Sequence, residues 1–112
     1  MKTNTYYYEI YQARVKEEFV FMKWEWAKKH NWSFKSYNKV YNAYVVARDD
    51  YDVLDYLFEI FNNNHPKNFK GHSMSVSDIV KVYINGNENK AKYYYCDIFG
   101  WKDITKEVKG EL

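Results

Sequence analysis

Residues 71–101 have the sequence GHSMSVSDIVKVYINGNENKAKYYYCDIFGW, and this stretch decides the fold. Two runs rich in β-branched and aromatic residues, Ile79 to Ile84 and Ala91 to Phe99, flank the segment NGNENK at 85–90. Such runs favour strands, and the Asn-Gly pair favours a turn between them. We therefore predict a β-hairpin whose second strand ends at Gly100.

The residues upstream of the hairpin predict further strands and a helix. Thr5 to Gln12 is rich in tyrosine and favours a first strand, and Tyr37 to Arg48 favours an extended segment or a second strand. A helix is predicted from about Tyr51 to Asn62, with Asp49 or Asp50 as its N-cap. Its apolar side is wide and comprises Val53, Leu54, Leu57, Phe58, Ile60 and Phe61.

The segment between the first two predicted strands has two interpretations. Apolar residues recur at steps of four, three and four, which predicts one face of a helix ending near His30: Val15, Phe19, Met22 and Trp26. The alternative is that residues 19–22 are extended and that a helix begins only at Lys23.

These elements together predict one α+β domain over residues 1–112. Its architecture is a small, mainly antiparallel sheet covered by two helices on one face, ending in the β-hairpin. Trp101 to Val108 is expected to form a short closing turn or helix. A length of 112 residues fits one domain, which can bury somewhat over about 60% of its unfolded surface.

Composition excludes several classes of function. No apolar run approaches the roughly 18 residues that a membrane span needs, and the start MKTNTYYYEI lacks the apolar core of a secretory signal, so we expect a cytoplasmic protein. Cys96 is the sole cysteine and predicts no internal disulfide. The signatures GxxxxGK[ST], GxGxxG, HExxH and GxSxG are absent, and we expect no cofactor and no bound metal.

Charge is segregated along the chain. Residues 1–48 carry a net charge of +5, residues 49–65 carry −5 and residues 66–112 carry +2. The acidic segment comprises Asp49, Asp50, Asp52, Asp55 and Glu59, the last three spaced to form one exposed stripe of the predicted helix. Such a stripe can bind a basic partner, although a solvated helix face has the same pattern.

Polar residues that suit acid–base chemistry or binding of a divalent ion are concentrated in the loop before the hairpin: His72, Ser73, Ser75, Ser77 and Asp78, with Asp97 on the second strand. Ser and Asp side chains also fix turns by accepting hydrogen bonds from nearby backbone N–H groups. The structural interpretation is favoured over catalysis.

The segments NNNHPKNFKGHSMSVSDIV (62–80) and YYYCDIFGWKDI (93–104) resemble the C-terminal signature of the YodL-like domain, which occurs in polyvalent proteins of plasmids and phages. The matching positions are Gly71, His72, Ser73, Ser75, Val76, Ser77, Asp78, Tyr94, Asp97, Phe99 and Gly100. Met74, Cys96 and Ile98 depart from the pattern, and the N-terminal half matches loosely.

A small YodL-like protein also resembles type II-A anti-CRISPR proteins, and this implies an inhibitor that binds the CRISPR effector nuclease and interferes with guide-RNA loading. The acidic stripe would compete there with RNA phosphates. A first alternative is a metal-dependent ribonuclease that shortens guide RNA through His72, Asp78 and Asp97. A second is a mobile-element accessory module that binds another host protein.

Overall fold

The backbone of residues 2–112, described by a computed structural model, forms five strands and three α-helices. The strands are β1 (Asn4–Ala13), β2 (Tyr37–Ala47), β3 (Ile79–Ile84), β4 (Lys92–Asp97) and β5 (Gly100–Asp103). The helices are α1 (Trp24–Ala27), α2 (Asp50–Asn63) and α3 (Thr105–Lys109). The predicted first strand, second strand and acidic helix are therefore confirmed.

The five strands form one antiparallel sheet in the order β2-β1-β3-β4-β5, which confirms the α+β class. β3 and β4 are the predicted hairpin, and Asn85 and Gly86 between them have φ values of +50° and +77°. Positive φ at two consecutive residues is the geometry that an Asn-Gly turn provides. The second hairpin strand is shorter than predicted, because the chain turns at Ile98 and Phe99 into β5.

Helix α2 packs on one face of the sheet, as its apolar pattern predicts. Val53, Leu54, Leu57 and Phe61 are fully buried there against side chains of β1, β3 and β4. Complete burial of such a side chain stabilises a fold by roughly 1.5–3 kcal/mol. Phe58 was expected on the apolar side but is 46% exposed.

The prediction that the sheet buries one face only is wrong. A second core lies on the opposite face, where α1, its flanking turns and α3 contribute Phe19, Trp24, Ala27 and Val108. The reason lies in β3 and β4, where neighbouring residues such as Val80 and Ile79, or Tyr94 and Tyr95, are buried on opposite faces. Continuous apolar runs of this kind are typical of strands covered on both sides.

The predicted helix through Val15, Phe19, Met22 and Trp26 is also wrong. Most of this segment is a series of turns, and only Trp24–Ala27 is α-helical. Val15 is 78% exposed, whereas Phe19 and Trp24 are buried. Tertiary contacts fix the turns, since Phe21 has a φ of +68° and donates its backbone N–H to Ser77 Oγ. The alternative is right about the helix, which has Lys23 as its N-cap, and wrong about residues 19–22, which form turns and are not extended.

The C-terminal segment forms the expected short helix, but a strand that was not predicted precedes it. Lys102 of β5 pairs with Tyr95, and α3 then places Val108 in the second core. Among residues 2–112, no helix has the length and apolar character that crossing a membrane requires.

Candidate functional site

The motif loop, residues 71–78, is attached to the end of β1 by Gln12. The Gln12 side chain accepts a hydrogen bond from His72 N (3.1 Å) and donates to His72 O (2.8 Å). The same amide nitrogen donates to Asp78 Oδ2 at 3.0 Å. Gln12 is 5% exposed, so its amide is largely removed from water and satisfied by the loop.

Asp78 is a buried carboxylate that organises the loop. It is 1% exposed, and its Oδ2 atom accepts hydrogen bonds from Gln12 and from Ser75 N (2.9 Å). Burial raises the pKa of Asp78 from 3.8 to about 7, although the Ser75 N–H, the charge of His72 and the Gln12 amide each act to lower it. Asp78 therefore changes charge near neutral pH.

His72 is close to Asp78 but more exposed. Its Nδ1 atom is 2.7 Å from Ser73 O and donates there, which leaves Nε2 3.9 Å from Asp78 Oδ1. Ser75 Oγ donates to Ser73 O at 2.8 Å. These are the local backbone contacts by which Ser, Asp and His side chains fix a turn.

Ser77 joins the loop to the second core. It is 2% exposed, has a φ of +89° and accepts the Phe21 N–H on its hydroxyl. Its backbone N–H donates to Cys96 O (2.9 Å), and its carbonyl accepts from Tyr37 Oη (2.6 Å). Positive φ is costly for serine, and these three contacts compensate for that cost.

Asp97 does not join His72 and Asp78. Its Oδ1 atom accepts hydrogen bonds from Trp24 N (3.2 Å) and Ile98 N (2.9 Å), so it holds α1 and the β4–β5 turn. Within residues 2–112, no three His, Cys, Asp or Glu side chains are grouped closely enough to hold a metal ion. The ligand set His72, Asp78 and Asp97, predicted for the ribonuclease alternative, is therefore not assembled.

Two positions of the motif require glycine, each for a different structural reason. A Cβ atom on Gly71 would collide with the Gln12 side-chain oxygen and would lie 2.8 Å from the Phe69 ring. Gly100 has a φ of +94° where the two-residue turn Ile98–Phe99 enters β5. Gly71 thus permits the Gln12 contact, and Gly100 permits the turn.

The five acidic residues of the α2 region divide into two groups. Asp49 accepts Asp52 N as the helix N-cap (2.8 Å), and Asp50 accepts Tyr94 Oη (2.6 Å). Asp52 forms an ion pair with Arg48 at 3.2 Å, which lowers the pKa of Asp52. The stripe predicted for Asp52, Asp55 and Glu59 therefore contains one neutralised carboxylate, because Arg48 precedes the helix and pairs with Asp52.

Asp55 and Glu59 form the second group. Both are exposed, and neither has a hydrogen-bond or ion-pair partner among residues 2–112. They lie at a groove of about 360 Å³ between α2 and the β4–β5 turn. We call it the acidic groove, and its lining residues are Asp55, Phe58, Glu59, Cys96, Asp97, Ile98, Gly100 and Trp101.

The apolar part of the acidic groove is exposed to solvent. Ile98 is 53% exposed, Phe58 46% and the adjoining Phe99 98%. Cys96 lies beneath, 2% exposed, and burial raises its thiol pKa to about 12, so the thiol is protonated and is not a nucleophile at neutral pH. The groove can therefore bind a partner through carboxylates and apolar side chains together.

Comparison with known proteins identifies the family. The model of the YodL-like domain matches residues 7–106. The chain belongs to the YodL-like domain family. No curated protein and no solved structure matched the chain. The match includes the N-terminal half, where the sequence resemblance was loose, and this agrees with the contact between Gln12 and the motif loop.

In this YodL-like domain the signature residues serve two regions. The loop part, from Gly71 to Asp78, is bonded to β1 and buries Met74, Ser77 and Asp78. The turn part, from Asp97 to Gly100, borders the acidic groove. Phe99 has no buried contact that would explain its place in the signature, since it is almost fully exposed. Phe99 adjoins the exposed side chains of Ile98 and Phe58, and a contiguous exposed apolar patch is typical of a surface that binds a partner.

Sequence reasoning missed Gln12, the main partner of the YodL motif loop. Gln12 lies 60 residues before His72 and 66 before Asp78, and nothing in the strand pattern of β1 indicates such a contact. Trp101 was also missed, because it was assigned to a closing turn and not to a strand that borders the groove. The exposed phenylalanine of α2, Phe58, was assigned to the core for its apolar character alone.

Proposed function

We propose that this protein is a binding inhibitor of a type II-A RNA-guided CRISPR nuclease. The observation that carries the proposal is the acidic groove. There the carboxylates of Asp55 and Glu59, which have no partner among residues 2–112, adjoin exposed Phe58, Ile98 and Phe99. The choice of nuclease rests on the resemblance to small anti-CRISPR proteins. The proposed partner surface is the basic channel that holds the guide RNA.

The charges favour a basic partner surface. Asp49, Asp50 and Asp52 have partners within the chain, so Asp55 and Glu59 are the carboxylates of α2 left for an external cation. Arginine and lysine in an RNA channel normally contact phosphate oxygens. Carboxylates can accept hydrogen bonds from the same arginine and lysine side chains. The apolar side chains beside them can also bury surface against the partner, which RNA phosphates cannot do.

The test is a binding titration of the purified nuclease, with and without guide RNA. Replacing Asp55→Asn and Glu59→Gln together should weaken binding about tenfold, or about 1.4 kcal/mol, and flatten its dependence on salt. Phe99→Ser should weaken binding without changing the salt dependence. Glu107→Gln, the same change on exposed α3, is the matched control for Glu59→Gln.

Two results would contradict the proposal. Unchanged affinity of the Asp55→Asn, Glu59→Gln variant at all salt concentrations would exclude the acidic groove. Equal binding to the free nuclease and to the nuclease loaded with guide RNA would exclude competition with the RNA. Absence of binding to any such nuclease would favour the accessory-module alternative, in which the groove binds another host protein.

A ribonuclease remains the second candidate, and one observation favours it. His72 and Asp78 lie 3.9 Å apart, and the pKa of Asp78 is raised to about 7, as in an acid–base pair. Incubation of guide RNA with the purified protein tests it, once with Mg²⁺ or Mn²⁺ and once with a chelator, because an acid–base pair needs no bound metal. Shortened RNA that is lost with His72→Ala would support this candidate, and intact RNA under both conditions would exclude it.

A further inference from the structure

Strand β2 forms one edge of the sheet, and no other strand of residues 2–112 pairs with its outer side. In an antiparallel strand the N–H and C=O of one residue point to the same side, and successive residues alternate. Thr5 O accepts a hydrogen bond from Asn85 N on the β3 side, so the intervening even-numbered residues of β1 face β2. The β2 register then directs the backbone groups of Asn42, Tyr44 and Val46 outward.

This edge lacks the usual protection against pairing with another strand. Residues 41–47, YNAYVVA, contain no proline and no charged residue. The one irregularity between β1 and β2 lies beside Ile10 and Tyr11, before this segment. Edge strands are normally blunted by such features, or by covering elements, because open strands associate.

Exposed apolar side chains flank the open edge on both faces of the sheet. On one face, Tyr44 is 66% exposed and Val46 62%. The Tyr44 ring lies 5.7 Å from that of Tyr7, which stacks on Tyr83 at 5.5 Å, so a row of rings ends at the edge. On the other face, a groove of about 230 Å³ runs between β2 and α2 beside Tyr56, which is 43% exposed.

The charges at the two ends of this segment indicate which strand can pair with the open edge, and in which orientation. The basic residue Lys39 precedes the uncharged segment, and residues 48–52 follow it with a net charge of −2, since Arg48 is outnumbered by Asp49, Asp50 and Asp52. A second identical strand in antiparallel orientation places each basic end against an acidic end. A parallel copy would place like charges together, which is unfavourable.

We propose that the edge of β2 binds a second copy of this chain, antiparallel and related by a two-fold axis. The two five-stranded sheets then join edge to edge, and the rows of tyrosine rings meet at Tyr44. The proposal is independent of the acidic groove, which is lined by α2, β4 and β5 and contains no residue of β2.

The dimer is expected to be weak and reversible. Pairing of one short segment, with the flanking tyrosines and Val46, buries less than the roughly 1,200 Å² at which stable interfaces begin. The association should therefore depend on protein concentration, with a dissociation constant between about 1 μM and about 1 mM.

Sedimentation equilibrium of the full chain tests the proposal. The weight-average mass should rise from monomer toward dimer with concentration. Tyr44→Lys, which adds two like charges at the junction, should weaken association at least about tenfold, or about 1.4 kcal/mol. Val15→Lys, the same kind of change at an exposed apolar residue outside the edge, should associate like the wild type.

Amide hydrogen exchange locates the interface without a substitution. The amides of Asn42, Tyr44 and Val46 should become protected as concentration rises, while the outward amide of Trp101 on β5, the opposite edge, should not. A monomer throughout the concentration range would overturn the proposal. So would a dimer that Tyr44→Lys leaves unchanged, or protection confined to β5.

Discussion

The motif loop and the acidic groove both contain carboxylates, but the carboxylates of the two regions differ in burial and in hydrogen bonding. In the loop, Asp78 is buried and accepts hydrogen bonds from Gln12 and Ser75, so its polar capacity is used inside the fold. In the groove, Asp55 and Glu59 are exposed and lack partners among residues 2–112. The match to the YodL-like domain covers both regions.

This difference distinguishes carboxylates that stabilise the fold from carboxylates that are available to bind a partner. A buried carboxylate with satisfied hydrogen bonds stabilises a loop, and its loss leaves donors without partners. An exposed carboxylate contributes little to stability and is available to a cation from another molecule. Substitutions in the loop should therefore change the free energy of unfolding, and substitutions in the groove should change binding.

The largest effect on stability is expected from Asp78→Ala. This change leaves the Gln12 amide and the Ser75 N–H without an acceptor in a buried site, at a cost of about 2–3 kcal/mol. Asp78→Asn retains an oxygen of similar position and should cost less than about 1 kcal/mol. Urea denaturation at pH 7 measures both, and equal losses in the two variants would refute the hydrogen-bonding role of Asp78.

The pH dependence of stability gives the next largest effect. Because the pKa of Asp78 is raised from 3.8 to about 7, the folded protein holds a proton between these values that the unfolded chain has lost. The contribution of Asp78 to the free energy of unfolding therefore falls as pH rises from about 4 to about 7, and is constant above that range.

The pH effect is measured as a difference between two proteins. The stability of the wild type relative to Asp78→Asn should decline by more than about 1 kcal/mol between pH 5 and pH 8. His72 contacts Asp78 and opposes the shift, so His72→Ala should enlarge the decline. A difference that does not vary with pH would show that Asp78 ionises as freely in the folded protein as in the unfolded chain.

The sequence predicted the elements whose signals are local. The hairpin was predicted from β-branched runs around Asn85–Gly86, and α2 from its cap Asp49 and its apolar spacing. The turns at residues 14–23 were not predicted, because Phe21 adopts its positive φ through a contact with Ser77 that is 56 residues distant. Periodicity alone suggested a helix there.

The candidate site could be predicted only in part for the same reason. The motif resemblance singled out residues 71–78 and 97–100, but it could not separate the buried Asp78 from the exposed Phe99. Gln12 has no local signal, since its partners His72 and Asp78 are 60 and 66 residues away in the sequence. The pairing of Asp52 with Arg48 was within reach of sequence reasoning, because the two residues are four apart.

The smallest effects on stability are expected in the α2 region, where a carboxylate that accepts a hydrogen bond can be compared with one that accepts none. Asp49→Ala removes the N-cap bond to Asp52 N and should cost about 1 kcal/mol. Asp55→Ala removes no bond and replaces aspartate by a better helix former, so stability should be unchanged or rise by up to about 0.5 kcal/mol. Thermal denaturation followed by circular dichroism measures both variants.

Binding to the nuclease should show the reverse order for these two variants. Asp55→Ala should weaken the complex because it removes a groove carboxylate. Asp49→Ala should bind with the affinity of the wild type under conditions in which the variant is folded. The two substitutions remove the same charge from one helix, so net charge cannot explain a difference between them. Equal weakening would mean that the overall negative charge of α2 attracts the partner, and that the groove does not define the contact.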